Sequence, residues 1–191
     1  MYIKIKLKPT KTYPKPITFP ILLPALKKAM AECYLGIGTP YEPIAIDNFV
    51  KTGSYAFPVI KPSSDISISL ESDTDDNKGL LKGAKLVCCM VKNVGKAFTD
   101  KNCELNGYWN KIFDYNKRWV QSSPDGTLYI SPNKKKKCIV STKDVELDDN
   151  LSYSIMFSMV MRDTTKKRRR YYFVLDPLVK ISSGAGTGIP K

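Results

Sequence analysis

The chain has 191 residues, with 31 Lys and Arg against 18 Asp and Glu for a formal net charge of +13, and no histidine. The missing imidazole excludes Ser-His-Asp and Cys-His catalysis, the HExxH zinc site and imidazole acid–base steps near neutral pH. Hydrophobic residues make up 42% and aromatics 10%, enough for a core and unlike a disordered basic tail.

The predicted elements begin with a strand. Residues 2–8 alternate strictly, with Ile3, Ile5 and Leu7 on one face and Tyr2, Lys4, Lys6 and Lys8 on the other, the pattern of a half-buried strand with a basic outer face. Nine of the 13 prolines fall in the first 62 residues. Proline fixes φ and removes a donor, so dense regular structure is not expected through most of that stretch, and residues 1–20 read as a proline-rich strand and arm. Residues 24–35 read as a short helix, with Pro24 suited to its first position and Gly36 to its end. Leu22, Leu26, Ala29, Met30 and Cys33 form its apolar stripe, the pattern of a helix packed on a sheet.

Beyond residue 44 the pattern is β. Runs at 44–50, 54–60, 65–71 and 84–92 are rich in Ile, Val and aromatics and are separated by turn chemistry. The last is apolar on both faces, which predicts a central strand. The loop at 73–79 carries Asp73, Asp75, Asp76 and Asn77. Counted from Asp73, it lacks the glycine and glutamate that an EF-hand needs at its sixth and twelfth positions, so it reads as a solvated turn.

The densest aromatic and basic segment spans 106–130, between the turn signals Asn106-Gly107 and Pro124-Asp125-Gly126. A helix there would group Trp109, Ile112, Phe113 and Asn116. A strand would instead place Trp109, Lys111, Phe113, Tyr115, Lys117 and Trp119 on one side. Both patterns are open at this stage. Strand-like runs follow at 126–130 and, beyond the lysine run 134–137, at 138–147. A long hairpin comes last, with strands at 151–161 and 171–181 and six basic residues between Arg162 and Arg170. Asp176-Pro177 is expected to end or kink the return strand, and the small, glycine-rich tail 182–191 reads as flexible. The fold expectation is mainly β, with residues 21–181 as one domain. An OB-like barrel or sandwich is preferred and a jelly roll comes second, with one short helix and long basic hairpins.

Charge is unevenly shared, net +5 over residues 1–100 and +8 over 101–191, which points to a polyanionic partner. Four features fit nucleic acid. They are the segment with Trp109, Tyr115, Lys117, Arg118 and Trp119; the run Lys134, Lys135, Lys136 and Lys137; the tip with Arg162, Lys166, Lys167, Arg168, Arg169 and Arg170; and Tyr171 directly after it. Aromatic rings stack bases while cations neutralise phosphates. The competing reading puts Trp109 and Trp119 in the core, the lysine run in a solvated loop, and the tip to use as a nuclear localisation address.

No catalytic, metal or cofactor residues emerge. The acidic cluster at Asp144, Glu146, Asp148 and Asp149 has no second acidic motif to complete a Mg²⁺ site. The tail glycines do not connect a strand to a helix as a dinucleotide site requires. The five cysteines, an odd count with an adjacent pair and no Cys-x-x-Cys, read as reduced and mostly buried thiols. With no signal-peptide pattern and no apolar run near 20 residues, the expectation is an intracellular, cytoplasmic or nuclear protein, with a virion also compatible. The functional expectation is a non-enzymatic protein that binds single-stranded DNA or RNA with little sequence specificity and does not engage membranes. One alternative is a small capsid-like or particle-forming β protein that packs against nucleic acid, as a homo-oligomer or larger assembly. The other is an RNA-binding subunit of a ribonucleoprotein.

Overall fold

The computed structural model describes residues 1–7, 17–33, 37–49, 63–71, 83–93, 103–114, 117–144, 151–162, 165 and 167–176. In chain order the elements are β1 (Tyr2–Leu7), β2 (Ile17–Pro20), α1 (Leu23–Glu32), β3 (Ile44–Ala45), β4 (Asp65–Glu71), β5 (Ala84–Asn93), α2 (Cys103–Ile112), β6 (Val120–Ser122), β7 (Leu128–Ile130), β8 (Cys138–Ser141), β9 (Leu151–Arg162) and β10 (Arg168–Leu175). The strands form two sheets, one ordered β2-β1-β4-β8 and one ordered β3-β10-β9-β5-β7-β6. All pairings are antiparallel except that of β3 with β10. The architecture is therefore mainly β and β-sandwich-like. Two sheets replace the preferred OB-like barrel, and no closed barrel forms among the described residues.

The alternation seen in the sequence sets the faces. In β9, Tyr153, Ile155 and Phe157 are at most 1% exposed, and Met159 and Met161 are also buried, because period-2 geometry sends every second side chain to one side. Phe157 stacks on Phe173 across the strand pair, with ring centroids 5.4 Å apart. The run at 84–92 is the central strand β5, flanked by β9 and β7 and kinked by an irregularity between Leu86 and Cys88. One hydrophobic core draws on both sheets and both helices, from Ile3 and Ile68 to Val91, Leu128 and Phe173. The proline-rich first 20 residues supply β1 and β2, and β1 lies between β2 and β4. The turn at 131–137 carries the chain from β7 in the second sheet to β8 in the first.

Some sequence expectations shift. The run at 44–50 keeps only two residues as strand, then turns at Asp47–Phe49. In α1, Leu26 and Ala29 are buried as expected, but Leu22 sits outside the helix as its N-cap and is 62% exposed. Of the two patterns open for 106–119, the helical one holds through Ile112. Trp109, Ile112 and Phe113 are all buried, and among the described residues a second α-helix joins the one expected. The short strands β2 and β6 had no clear pattern in the sequence. The runs at 54–60, 73–79, 145–150 and 182–191 lie outside the described residues. Among those described, no helix is long and apolar enough to cross a membrane.

Candidate nucleic-acid interface

The predicted aromatic segment separates into a core half and a surface half. Trp109 on α2 is fully buried, donates Nε1–H to the Gly126 carbonyl at 3.2 Å and stacks on Phe113 with centroids 5.9 Å apart. Its ring faces are used by the core, so the expectation that Trp109 stacks bases is corrected. Trp119 differs. It lies in the turn before β6, half-buried, with Nε1–H donated to the Ile139 carbonyl at 3.0 Å and its own carbonyl accepting from Ser131 N–H at 2.8 Å. Those two bonds, to β8 and to the segment after β7, fix the indole at the junction of the sheets.

The lysine run is a tight turn rather than a loose loop. Asn133 closes it. Its side-chain Oδ1 accepts from the N–H groups of Lys135 and Lys137 at 2.9 and 3.3 Å, and its carbonyl accepts from Lys136 N–H at 2.8 Å. Lys136 takes φ +58°, a left-handed conformation that costs a non-glycine residue something unless its surroundings impose it. The tightness of the turn holds Lys134, Lys135 and Lys136 in solvent while Lys137 is half-buried.

These two segments, at the two ends of the β6–β7 hairpin, meet. An open cleft of about 670 Å³ is lined by Arg118, Trp119, Pro132, Asn133, Lys134, Lys135 and Ile139. Its charged lining residues are all cations. Trp119, Pro132 and Ile139 give it an apolar wall, and Arg118, Lys134 and Lys135 give it three positive groups. Such a site can accept a planar ring against its apolar wall while phosphate or another anion meets its rim. Lys117, also exposed, is engaged by Asp114 at 3.3 Å. Tyr115 lies outside the described residues.

The hairpin tip sorts its cations by register. Arg162 and Arg168 are directly opposite each other on β9 and β10, and both are exposed. Among the described residues no carboxylate pairs with either. Lys167 is exposed beside them, and Lys166 lies outside the described residues. Arg169 is spent on structure. It lies over the Tyr171 ring at 4.2 Å and donates to the Ile37 carbonyl at 2.9 Å. Arg170, half-buried, donates to Ser158 Oγ and to the Gly83 carbonyl. Tyr171 itself is only 6% exposed, covered by Arg169, so it is corrected from stacking platform to core residue.

Among the described residues no group of three or more Cys, Asp or Glu side chains is placed to hold a metal. Cys88, Cys89 and Cys138 are free thiols and buried. Burial pushes Cys88 up to about 11 and raises Cys89 and Cys138. Repulsion from Cys138 and Cys88 adds to the rise at Cys89, and repulsion from Cys88 adds to it at Cys138, where a backbone hydrogen bond with Cys89 opposes it. No family model, curated protein or solved structure matches the chain. The functional reading therefore rests on the chemistry of the cleft and the tip. Sequence reasoning missed Pro132, Asn133 and Ile139 as cleft residues. Ser131-Pro132-Asn133 is a turn signal ahead of the lysines, and it was the available clue.

Proposed function

We propose that the protein is a non-enzymatic nucleic-acid-binding protein that holds single-stranded DNA or RNA with little sequence preference. The observation that carries the reading is the cleft joining Trp119 to Arg118, Lys134 and Lys135. A base stacks on the indole wall, and the flanking phosphates meet the three cations. Stacking on an aromatic side chain contributes about 1–3 kcal/mol per base and tolerates any base, because each has a π face. The phosphate contacts add affinity by counterion release and carry no sequence information. Apart from the three cations, the cleft's polar lining side chain able to read a base edge is Asn133, whose Oδ1 is already committed to its turn.

The chain has two tryptophans, which makes the test direct. Titrating a mixed-sequence oligonucleotide at low salt should quench the emission of Trp119, while Trp109, sealed in the core, keeps its signal. Trp119→Phe should abolish the quench. Quenching that persists in Trp119→Phe, or no binding by anisotropy at low salt, refutes the proposal.

A further inference from the structure

The topology sets the cleft and the exposed Arg162–Arg168 pair of the hairpin at the same end of the six-stranded sheet. Arg168 opposite Arg162 marks the end of β9 and the start of β10. Ala84 opposite Met159 brings the start of β5 to that end. Cys89 opposite Ile130 and Val91 opposite Leu128 turn the end of β7 the same way, and Val120 opposite Ile130 does so for the start of β6. Trp119 precedes β6 and Lys134 follows β7, so both lie on the side toward the hairpin tip.

Near the tip, the outer face of β9, β10 and β5 carries cations. Directly opposed residues share a face. Arg162 with Arg168, Val160 with Arg170, and Ser158 with Tyr172 form three successive rows on β9 and β10, and Lys85 on β5 extends the third. Lys85 is exposed, Val160 is 37% exposed, Tyr172 is half-buried, and no acidic residue stands in these rows. Two like charges facing across a strand pair destabilise it, and Arg162 and Arg168 have no counter-charge among the described residues to offset that. A phosphodiester chain supplies one.

We propose that one nucleic-acid strand engages both places, running from the Trp119 cleft across the end of the sheet to the Arg162–Arg168 pair. The proposal rests on the single-strand reading of the cleft and adds the length of strand engaged. From β6 to β10 there are four strand spacings of about 4.8 Å, roughly 19 Å across. Trp119 lies one residue nearer the tip than the Ile155 level and Arg168 at the Arg162 level, about six residues or 20 Å along the strands at 3.3 Å each. The diagonal is about 28 Å, the length of about eight nucleotides stacked at 3.4 Å. A tetramer reaches one place only, and a dodecamer reaches both.

The test uses fluorescein-labelled oligothymidylates of four and twelve nucleotides with the full chain, by anisotropy over a salt series. The twelve-mer should bind at least tenfold more tightly than the four-mer. Arg162→Ala with Arg168→Ala should weaken the twelve-mer about fivefold or more at low salt and leave the four-mer within twofold. The log–log salt slope for the twelve-mer should fall by about 1.4, two single-strand phosphate contacts at ~0.7 each. Both arginines are exposed, and a thermal melt confirms that the variant folds. A twelve-mer untouched by the double substitution, yet weakened by Lys134→Ala with Lys135→Ala, overturns the shared track and leaves the cleft standing. Equal weakening of both lengths overturns it too, because a diffuse field and not a track is then acting. If no oligothymidylate binds at any salt, the single-strand reading itself fails.

Discussion

Removing the three cations of the cleft should change how binding responds to salt more than it changes the protein. Arg118, Lys134 and Lys135 are exposed, and none of their charged groups makes an ion pair or side-chain hydrogen bond with the described residues. The hydrogen bond of Lys135 to Asn133 uses its backbone N–H, which alanine keeps. The triple alanine variant should therefore melt within a degree or two of the parent. In binding, each single-strand phosphate contact contributes about 0.7 to the slope of log affinity against log salt, so three contribute about 2. Raising salt from about 50 to about 200 mM should cost the parent roughly twentyfold more affinity than the variant. The two curves should converge as salt rises, since counterion release is the term removed. Anisotropy titrations at five or six salt concentrations measure both slopes. Parallel lines, with the variant weaker by a constant factor at every salt, would show that the three residues act by shape and not by phosphate neutralisation, and the reasoning would be refuted.

Three further outcomes follow from the fold. Trp109→Ala removes a fully buried indole stacked on Phe113 and orphans the Gly126 carbonyl. Urea denaturation should show a loss of about 3–5 kcal/mol, and a loss below 1 would mean that α2 does not pack as described. Asp125 is pushed up by partial burial, but hydrogen bonds from Ser123 and from the Thr127 hydroxyl and N–H, aided by Lys92, win and hold its carboxyl below the usual range. Its stabilising effect is present above the ordinary carboxylate pKa of about 4 and is lost as pH falls through the lower folded value. The Tm of Asp125→Asn should accordingly fall less than that of the parent between about pH 4 and pH 2, and identical pH dependence counts against the network. Cys88, Cys89 and Cys138 are buried with raised pKa values, so they should resist alkylation at pH 8 until the protein is unfolded. Peptide mapping that finds any of the three modified in the native state within minutes contradicts their burial.

Period-2 alternation carried most of what could be read of the fold. It placed β1, β4 and β9 and their inward faces, because a half-buried antiparallel strand writes its burial directly into the sequence. The continuous apolar run of β5 announced a central strand, and β5 lies between β9 and β7. The short edge strands β2 and β6 left little trace. Three or four residues, with a proline in β2, hold too few alternations to register, and neighbouring strands impose their conformation. The barrel failed for a different reason. Strand count and turns are shared by barrels and sandwiches, and closure depends on which edges pair, which no local pattern encodes.

At the surface the sequence located the charged segments but not the use made of each charge. Five adjacent positions from Lys166 to Arg170 look alike in the sequence, yet β10 register separates those described. Arg168 faces Arg162 in solvent, Arg169 lies on Tyr171, and Arg170 reaches across to Ser158. An arginine has a long apolar stem and a planar head that stacks and donates several hydrogen bonds, so it can serve as packing and as charge in the same run. The tryptophans divide by the same logic. Trp109 belongs to a helix whose apolar face needs it, and Trp119 follows the helix into a turn where only its indole edge is bonded. Composition thus gave the excess of positive charge, while the exposure of each charged group was set by register and turn geometry. Those two determinants, and not the total of +13, leave Arg118, Lys134, Lys135, Arg162 and Arg168 exposed and without a carboxylate partner among the described residues.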